Sequence, residues 1–404
     1  MLKLLYIITT AIAFTSNFVG VNTNYYLRLG MGLLWIIIWI IRSKGVIRID
    51  KFMRYMIFPW IMIFLLTLVL WMVNRPDFFN MSFFTRMVSN VIYCLVPIIN
   101  AYIGLEFFGK YVIDMFFYSL FSSIFINTVV VWQKFGTSLT LIYLKTLLFQ
   151  EYRSGTALLD LAMGMEVQGA TMALGIFFVY YLFYCEDEKP LKRNIYILLS
   201  LVGLYIGFKR VVLLSILLVI AILWVLRFKR VNIRKVILYT FIVFITISFC
   251  YIFVVKTDLI STIASYCNVN MMGRTNIYMS VSKLYTLSPL YFGMGFGYIA
   301  KYLFETTGFA VHSEILRMYI ELGFWPFIGW IWYNIYYIPQ RVVSTFGNEA
   351  GKVCITATVY TFSTYLVENT LGLYPLHYGM TLFTILYLSN LQDNRVIRYK
   401  INRL

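Results

Sequence analysis

The sequence predicts an all-α integral membrane protein of about twelve transmembrane helices, and three observations carry that prediction. First, 61% of its 404 residues are hydrophobic and 13% are charged, with a mean hydropathy of +0.79. A soluble domain carries about 25% charged residues. Second, apolar runs recur along the whole chain, and most approach the roughly 20 residues that cross a bilayer. Third, Lys and Arg collect in short, dense clusters that these runs place on one side, as cytoplasmic loops require. No internal repeat, low-complexity tract or soluble domain breaks the pattern, so residues 1–404 read as one polytopic membrane domain.

The expected spans, in order, are 4–20, 25–41, 55–73, 87–105, 111–131, 168–185, 194–208, 211–226, 236–255, 311–338, 353–371 and 374–390. The first apolar run has no small-residue cleavage site behind it, so no cleavable signal peptide is expected. With the N-terminus inside, the inner loops hold Arg42, Lys44, Arg48, Lys51 and Arg54, then Lys189, Lys192 and Arg193. Arg227, Lys229, Arg230, Arg234 and Lys235 follow on the same side, then Arg341 and Lys352, and last Arg395, Arg398, Lys400 and Arg403. Two extracytoplasmic segments result. The main one, 256–310, precedes the tenth span; the second, 132–167, contains an amphipathic stretch at 138–149 suited to the outer surface.

The formal net charge of +17 would suggest nucleic acid in a soluble protein. Here the positive-inside bias accounts for it, so nucleic acid is not an expected partner. Cys94, Cys185, Cys250, Cys267 and Cys354 are scattered singly, with no Cys-x-x-Cys and no histidine at ligand spacing, so they read as packing residues. Glu186, Asp187 and Glu188 lie beside Lys189 in an inner loop and read as solvated charge. No metal and no cofactor are expected.

Residues 256–321 interrupt the apolar pattern with Arg274, Lys283, Lys301, His312, Glu314 and Arg317. A charge at the bilayer centre costs about 2.5–3.5 kcal/mol or more, so such a cluster marks an aqueous loop or a working site. Lys209 and Arg210 break the positive-inside rule between two closely joined spans. They either snorkel to outer headgroups or form an anion site facing the interior. A guanidinium offers a rigid fork of donors that matches phosphate oxygens, and near a bilayer the natural multiply charged partner is a lipid-linked diphosphate. Arg210 and Arg274, with Lys209 and the outer lysines, are the candidate diphosphate ligands.

The chain has two histidines, His312 and His377. His312 is expected to start an interfacial helix, and an imidazole with a pKa near its ordinary ~6.5 accepts a proton from a sugar hydroxyl at neutral pH. Its bland alternative is a helix-end histidine satisfied by water. Glu314 is the competing base, and its bland alternative is an ion pair with Arg317 three residues on. The run Gly293-Met294-Gly295-Phe296-Gly297 lacks the spacing and the Lys-Ser/Thr of a phosphate loop and reads as a close-packed turn.

Taken together, these segments resemble the O-antigen polymerase and O-antigen ligase superfamily of bacterial polysaccharide enzymes. The resemblance rests on Gly273-Arg274, on Ser288-Pro289 followed by Gly293, Gly295 and Gly297, and on His312-Ser313 followed by Glu321, Gly323 and Gly329. Lys209-Arg210-Val211-Val212 stands where the family has a Ser-Arg pair opening a mid-chain span, so Arg210 matches the basic position and Lys209 departs from it. The likeness covers about residues 203–338 and, beyond them, hydropathy alone. It implies a GT-C-like, metal-independent, inverting glycosyltransferase of the bacterial cytoplasmic (inner) membrane with its active site outward. The donor would be an undecaprenyl-diphosphate-linked oligosaccharide. Arg210, Arg274 and Lys209 would hold the diphosphate, with His312 or Glu314 as base. Ligases usually show His-Asn where this chain has His312-Ser313, which favours a polymerase acting on a lipid-linked repeat unit, alongside a flippase and a chain-length regulator.

Two other classes compete. A ligase would move the glycan to another acceptor, and it shares the donor half of the reaction. A transporter of lipid-linked oligosaccharide or polysaccharide would be expected to show repeats and midplane charges, which the sequence lacks. A transferase using a polyprenyl monophosphate would be expected to carry acidic residues in the first outer loop, and residues 22–28 have none.

Overall fold

The computed structural model describes residues 2–15, 21–43, 51–74, 80–149, 168–185, 189–207, 209–227, 231–266, 274–306 and 311–401. Its helices are α1 (Leu2–Phe14), α2 (Val21–Arg42), α3 (Lys51–Asn74), α4 (Met81–Phe108), α5 (Val112–Phe149), α6 (Gln168–Tyr184), α7 (Pro190–Gly207), α8 (Arg210–Arg227) and α9 (Ile233–Lys256). They continue with α10 (Leu259–Tyr266), α11 (Arg274–Ser282), α12 (Tyr298–Thr306), α13 (Glu314–Leu322), α14 (Phe324–Ile331), a π-helical stretch at Trp332–Tyr337, α15 (Ile338–Phe346), α16 (Asn348–Tyr365) and α17 (Tyr374–Ile401). Among the described residues the only β pairing is an isolated antiparallel bridge between Phe292 and Gly323. The protein is an all-α membrane protein. Lys51–Val73, Met81–Ile142, Arg210–Arg227 and Ile233–Lys256 are long and apolar enough to cross a membrane by length and composition, and Leu2–Phe14 and Gly169–Tyr184 are shorter apolar helices. An apolar helix is the natural solution here, because every backbone group in lipid must be satisfied within the chain.

Three expected segments look different in the structure. The tenth, 311–338, is not one helix: the chain breaks at Gly323 (φ 84°) and then passes into the π-helical stretch. The eleventh, 353–371, keeps helical geometry only to Tyr365 and ends in a polar turn containing Glu368. The main loop expected at 256–310 carries the short helices α10, α11 and α12. Within the second loop segment, α5 continues to Phe149 across a kink at Gly136 (φ 75°), and residues 150–167 lie outside the described residues. Gly273, Cys267, residues 186–188, Lys44, Arg48, Lys229, Arg230 and Arg403 also lie outside them.

The chain divides into two interleaved compact units. Unit 1 comprises Met1–Met53, Val96–Ala221 and Leu373–Leu404. Apolar burial gives little net drive between helices in lipid, so packing and interhelical hydrogen bonds carry more of the association. Unit 1 shows both. The Tyr6 hydroxyl donates to the Asn100 carbonyl and pairs with the Tyr378 hydroxyl, and the Trp35 indole N–H donates to Thr9 Oγ1 at 2.8 Å. Phe116 stacks on Phe177 and Tyr378, joining α5, α6 and α17.

Unit 2 comprises Arg54–Leu95 and Ile222–Gly372 and carries the interrupted region. Its loop helices are tied down by side chains reaching main-chain carbonyls. Lys256 Nζ donates to the carbonyls of Ser282 and Tyr285, each at 2.6 Å. The hydroxyls of Tyr285, Tyr291 and Tyr319 donate to the carbonyls of Ile252, Ile320 and Thr286 at 3.0, 2.9 and 2.9 Å. These bonds seat the stretch between α11 and α12 against α9 and α13.

Candidate active site

The site is built on α13. Ser313 is its N-cap: the residue is extended (φ −160°, ψ 112°), and its hydroxyl accepts from the Leu316 N–H at 3.3 Å. Glu314 follows in the first turn, where the helix dipole favours a carboxylate. Capping by Ser313 leaves His312 outside the helix, contrary to the expectation that it starts it, so it does not share a helical face with Leu316. His312 instead has φ 52°, in the left-handed region, which costs a non-glycine residue about 1–2 kcal/mol. Strain of this kind persists where the surroundings over-determine the conformation, and it collects at functional sites.

A buried ionic triad runs along α13. Arg317 reaches Glu314 Oε2 through Nη1 at 3.4 Å and Glu321 Oε2 through Nε at 3.2 Å. The two carboxylates are 2% and 0% exposed and the guanidinium 13%. Each carboxylate also accepts a main-chain N–H: Glu314 Oε1 from Leu371 at 3.3 Å, and Glu321 Oε1 from Ile299 at 2.9 Å. Charges this deep are tolerated only when paired and hydrogen-bonded, and each member of this triad is both. It also ties α13 to the start of α12 and to the turn after α16.

The glycine run packs against the same helix. Met294 and Gly295 donate their N–H groups to the carbonyls of Ile320 and Glu321 at 3.0 and 2.8 Å. The Trp71 indole donates to the Met294 carbonyl at 2.9 Å, and Thr67 Oγ1 accepts from the Phe296 N–H at 3.0 Å. A Cβ on Gly293 would collide with the main chain of Glu321 and Leu322, and one on Gly295 with the Trp71 ring. The glycines therefore serve close approach. They make a tight turn, not an anion loop.

Arg274, His312 and Glu368 come together beside α13. Glu368 Oε1 lies 3.8 Å from Arg274 Nη2, and Glu368 Oε2 lies 3.8 Å from His312 Nδ1. Arg274 is 29% exposed, His312 33% and Glu368 14%, so all three are partly shielded and the carboxylate is the most buried. One turn along α11 from Arg274, Tyr278 bonds the Tyr251 hydroxyl at 2.9 Å, and burial holds its phenol above the ordinary range. A cation, an imidazole and a bridging carboxylate in one half-open cluster can bind an anion and move a proton.

The other expected residues fall elsewhere. Arg210 is exposed at the first position of α8 in unit 1, and Lys209 is half-buried just before it. Lys283 is exposed after α11, and Lys301 bonds Ser82 Oγ at 2.8 Å with its ammonium over the Phe83 ring. His377 is buried within α17. Sequence reading did not single out Glu368. It sat inside an expected span, and an acidic residue there is itself a signal of function. Glu321 entered only as part of a motif. Among the described residues no three His, Cys, Asp or Glu side chains are grouped to hold a metal ion.

An all-helical membrane protein with a half-open cluster of Arg, His and Glu on a loop-helix scaffold is the class that fold and site define. Residues 195–331, about a third of the chain, match the family model described as O-antigen ligase, the superfamily that the sequence resembles. The match takes in Lys209, Arg210, Arg274, His312, Glu314 and Glu321 and ends before Glu368. The family performs glycan transfer of the polymerase or ligase type. No curated protein matches the chain.

Proposed function

We propose that this protein is a polysaccharide polymerase at the outer face of the bacterial cytoplasmic membrane. It transfers a growing glycan from an undecaprenyl-diphosphate donor to a hydroxyl of a lipid-linked repeat unit, with inversion and without metal. The observation that carries the reading is the Arg274–Glu368–His312 cluster, where diphosphate ligand and proton acceptor sit on either side of one carboxylate. The acceptor oxygen attacks the anomeric carbon opposite the diphosphate as the bond from that carbon to the diphosphate oxygen breaks. His312 takes the hydroxyl proton, and undecaprenyl diphosphate leaves with the bonding pair.

Arg274 binds the diphosphate and stabilises the charge that grows on it. Arg210 and Lys209 supply a second anion site. Arg210 opens α8, where the helix dipole disfavours a cation and favours a phosphate, and this supports an anionic ligand over simple snorkelling. His312 is the base and Glu368 holds it. Glu314 is the nearest rival, but its oxygens already serve Arg317 and the Leu371 N–H. The twelve-span arrangement with 256–310 outside puts these groups in the leaflet where flipped donor arrives. A flippase would deliver that donor, and a chain-length regulator would limit the polymer.

The test is purified protein with synthetic undecaprenyl-diphosphate repeat unit, no metal and no nucleotide, followed by gel separation. A ladder of lengthened glycans is the expected result. Product only when a different glycan acceptor is added would identify the ligase reading. No transfer to any acceptor would remove the enzymatic reading.

A further inference from the structure

We propose that a cavity at the basic end of unit 2 binds the phosphate headgroup of an anionic membrane phospholipid. The cavity, of about 550 Å³, opens where the end of α8 meets the starts of α9 and α16. Leu226, Arg227, Asn232, Arg234, Glu349 and Lys352 line it. Ligand pockets run from about 300 to 1,000 Å³, so the space suits a headgroup. Its charges are three cations against one carboxylate, and Lys352 holds that carboxylate at 2.6 Å. Among the described residues, the guanidinium groups of Arg227 and Arg234 have no carboxylate partner.

Helix electrostatics separate the two arginines. Arg227 lies in the last turn of α8, where a cation complements the dipole without any ligand. Arg234 is the second residue of α9, where the helix dipole disfavours a cation. An anion in the cavity would relieve that cost and take a bidentate contact from each guanidinium. The wall offers main-chain donors as well. α16 begins after Gly347 with no side-chain cap, and its first residues, Asn348 and Glu349, border the cavity.

Membrane depth points to a lipid as the source of the phosphate. Trp224, one turn before Arg227, is 62% exposed, and Tyr239, five residues after Arg234, is 60% exposed. Exposed Trp and Tyr mark the headgroup level at a bilayer surface, so the mouth of the cavity lies at that level. The face carries the dense basic loops expected inside, where anionic lipids concentrate and basic pockets between helices take their headgroups. None of these residues belongs to the proposed transfer site, so either reading can fail alone.

Native mass spectrometry of the full-length protein in neutral detergent tests this, with phosphatidylglycerol as probe and phosphatidylcholine as control. The wild type is expected to retain phosphatidylglycerol in preference. Arg227→Gln with Arg234→Gln is expected to lose that retention by about tenfold or more, the effect of about 1.4 kcal/mol of lost contact. A charge-matched control, Lys51→Gln with Lys110→Gln, is expected to keep it. Should the arginine pair fail to fold, Arg234→Gln alone is expected to lose retention several-fold, and Arg227→Lys with Arg234→Lys to keep most of it. Undiminished retention in the arginine variants, or equal loss in the control, would overturn the proposal. Glycerol 1-phosphate or inorganic phosphate displacing the lipid at millimolar concentration would make the site one for soluble anions and overturn the lipid assignment.

Discussion

His312 is held in a left-handed backbone conformation one residue before a helix cap, with its Nδ1 turned toward Glu368. The Ser313 cap fixes the backbone beside it, and Glu368, 3.8 Å away, offers the ring a carboxylate once the ring is protonated. Removing a positioned general base typically costs 10²–10⁴-fold in rate, so His312→Ala should lose about that much polymer per folded molecule. His377→Ala should lose far less; equal product from the two variants would remove His312 from the chemistry. Arg274→Ala should abolish transfer while the protein stays in the membrane, and Arg274→Lys should recover part of it, because a point charge binds phosphate without the fork. Glu368→Gln preserves shape and removes the charge between the two groups. Turnover by this variant is expected to fall by about tenfold or more, with membrane levels unchanged on an immunoblot.

At the scale of elements, α13 is the beam on which the site hangs, and Arg317 is its internal brace. The triad joins three segments distant in sequence: α13, the start of α12, and the turn that carries Glu368. Arg317→Ala would leave two buried carboxylates without their counter-ion, a loss of about 3–5 kcal/mol. Such a protein should unfold or aggregate in mild detergent, as fluorescence-detected size exclusion would report. Gly293→Ala tests the other contact. Overpacking costs about 1–3 kcal/mol, so this variant should melt earlier than wild type even though Ala is the smallest addition possible. A melting temperature unchanged by the methyl would mean that the turn can move away from Glu321.

At the scale of the molecule, the two interleaved units divide the predicted machinery. Unit 2 holds Arg274, His312, Glu314 and Glu368, while Arg210 and Lys209 belong to unit 1. Sidedness is the property to test here. In a cysteine-free background, a cysteine at Lys283 should react with a membrane-impermeant maleimide in intact spheroplasts, and one at Lys352 only after permeabilisation. The reverse pattern would invert the topology and turn the proposed site to the cytoplasm.

Much of this protein is local in origin. Membrane class, helical fold and the expected helix-bearing segments follow from apolar run length, because lipid forces each segment to satisfy its own backbone hydrogen bonds. The candidate cations and His312 were legible too, because charge is rare in such a chain and stands out wherever it occurs. Other features depended on contacts between residues far apart in sequence. Ser313 displaced His312 from the helix, and the Leu371 N–H engaged Glu314. Glu368 came to lie between Arg274 and His312, which are 94 and 56 positions away from it. Periodicity and composition report only on neighbours within a turn or two of helix, whereas these pairings are set by how α9, α11, α13 and the turn after α16 pack. The tertiary structure alone decided which of many polar side chains lie together.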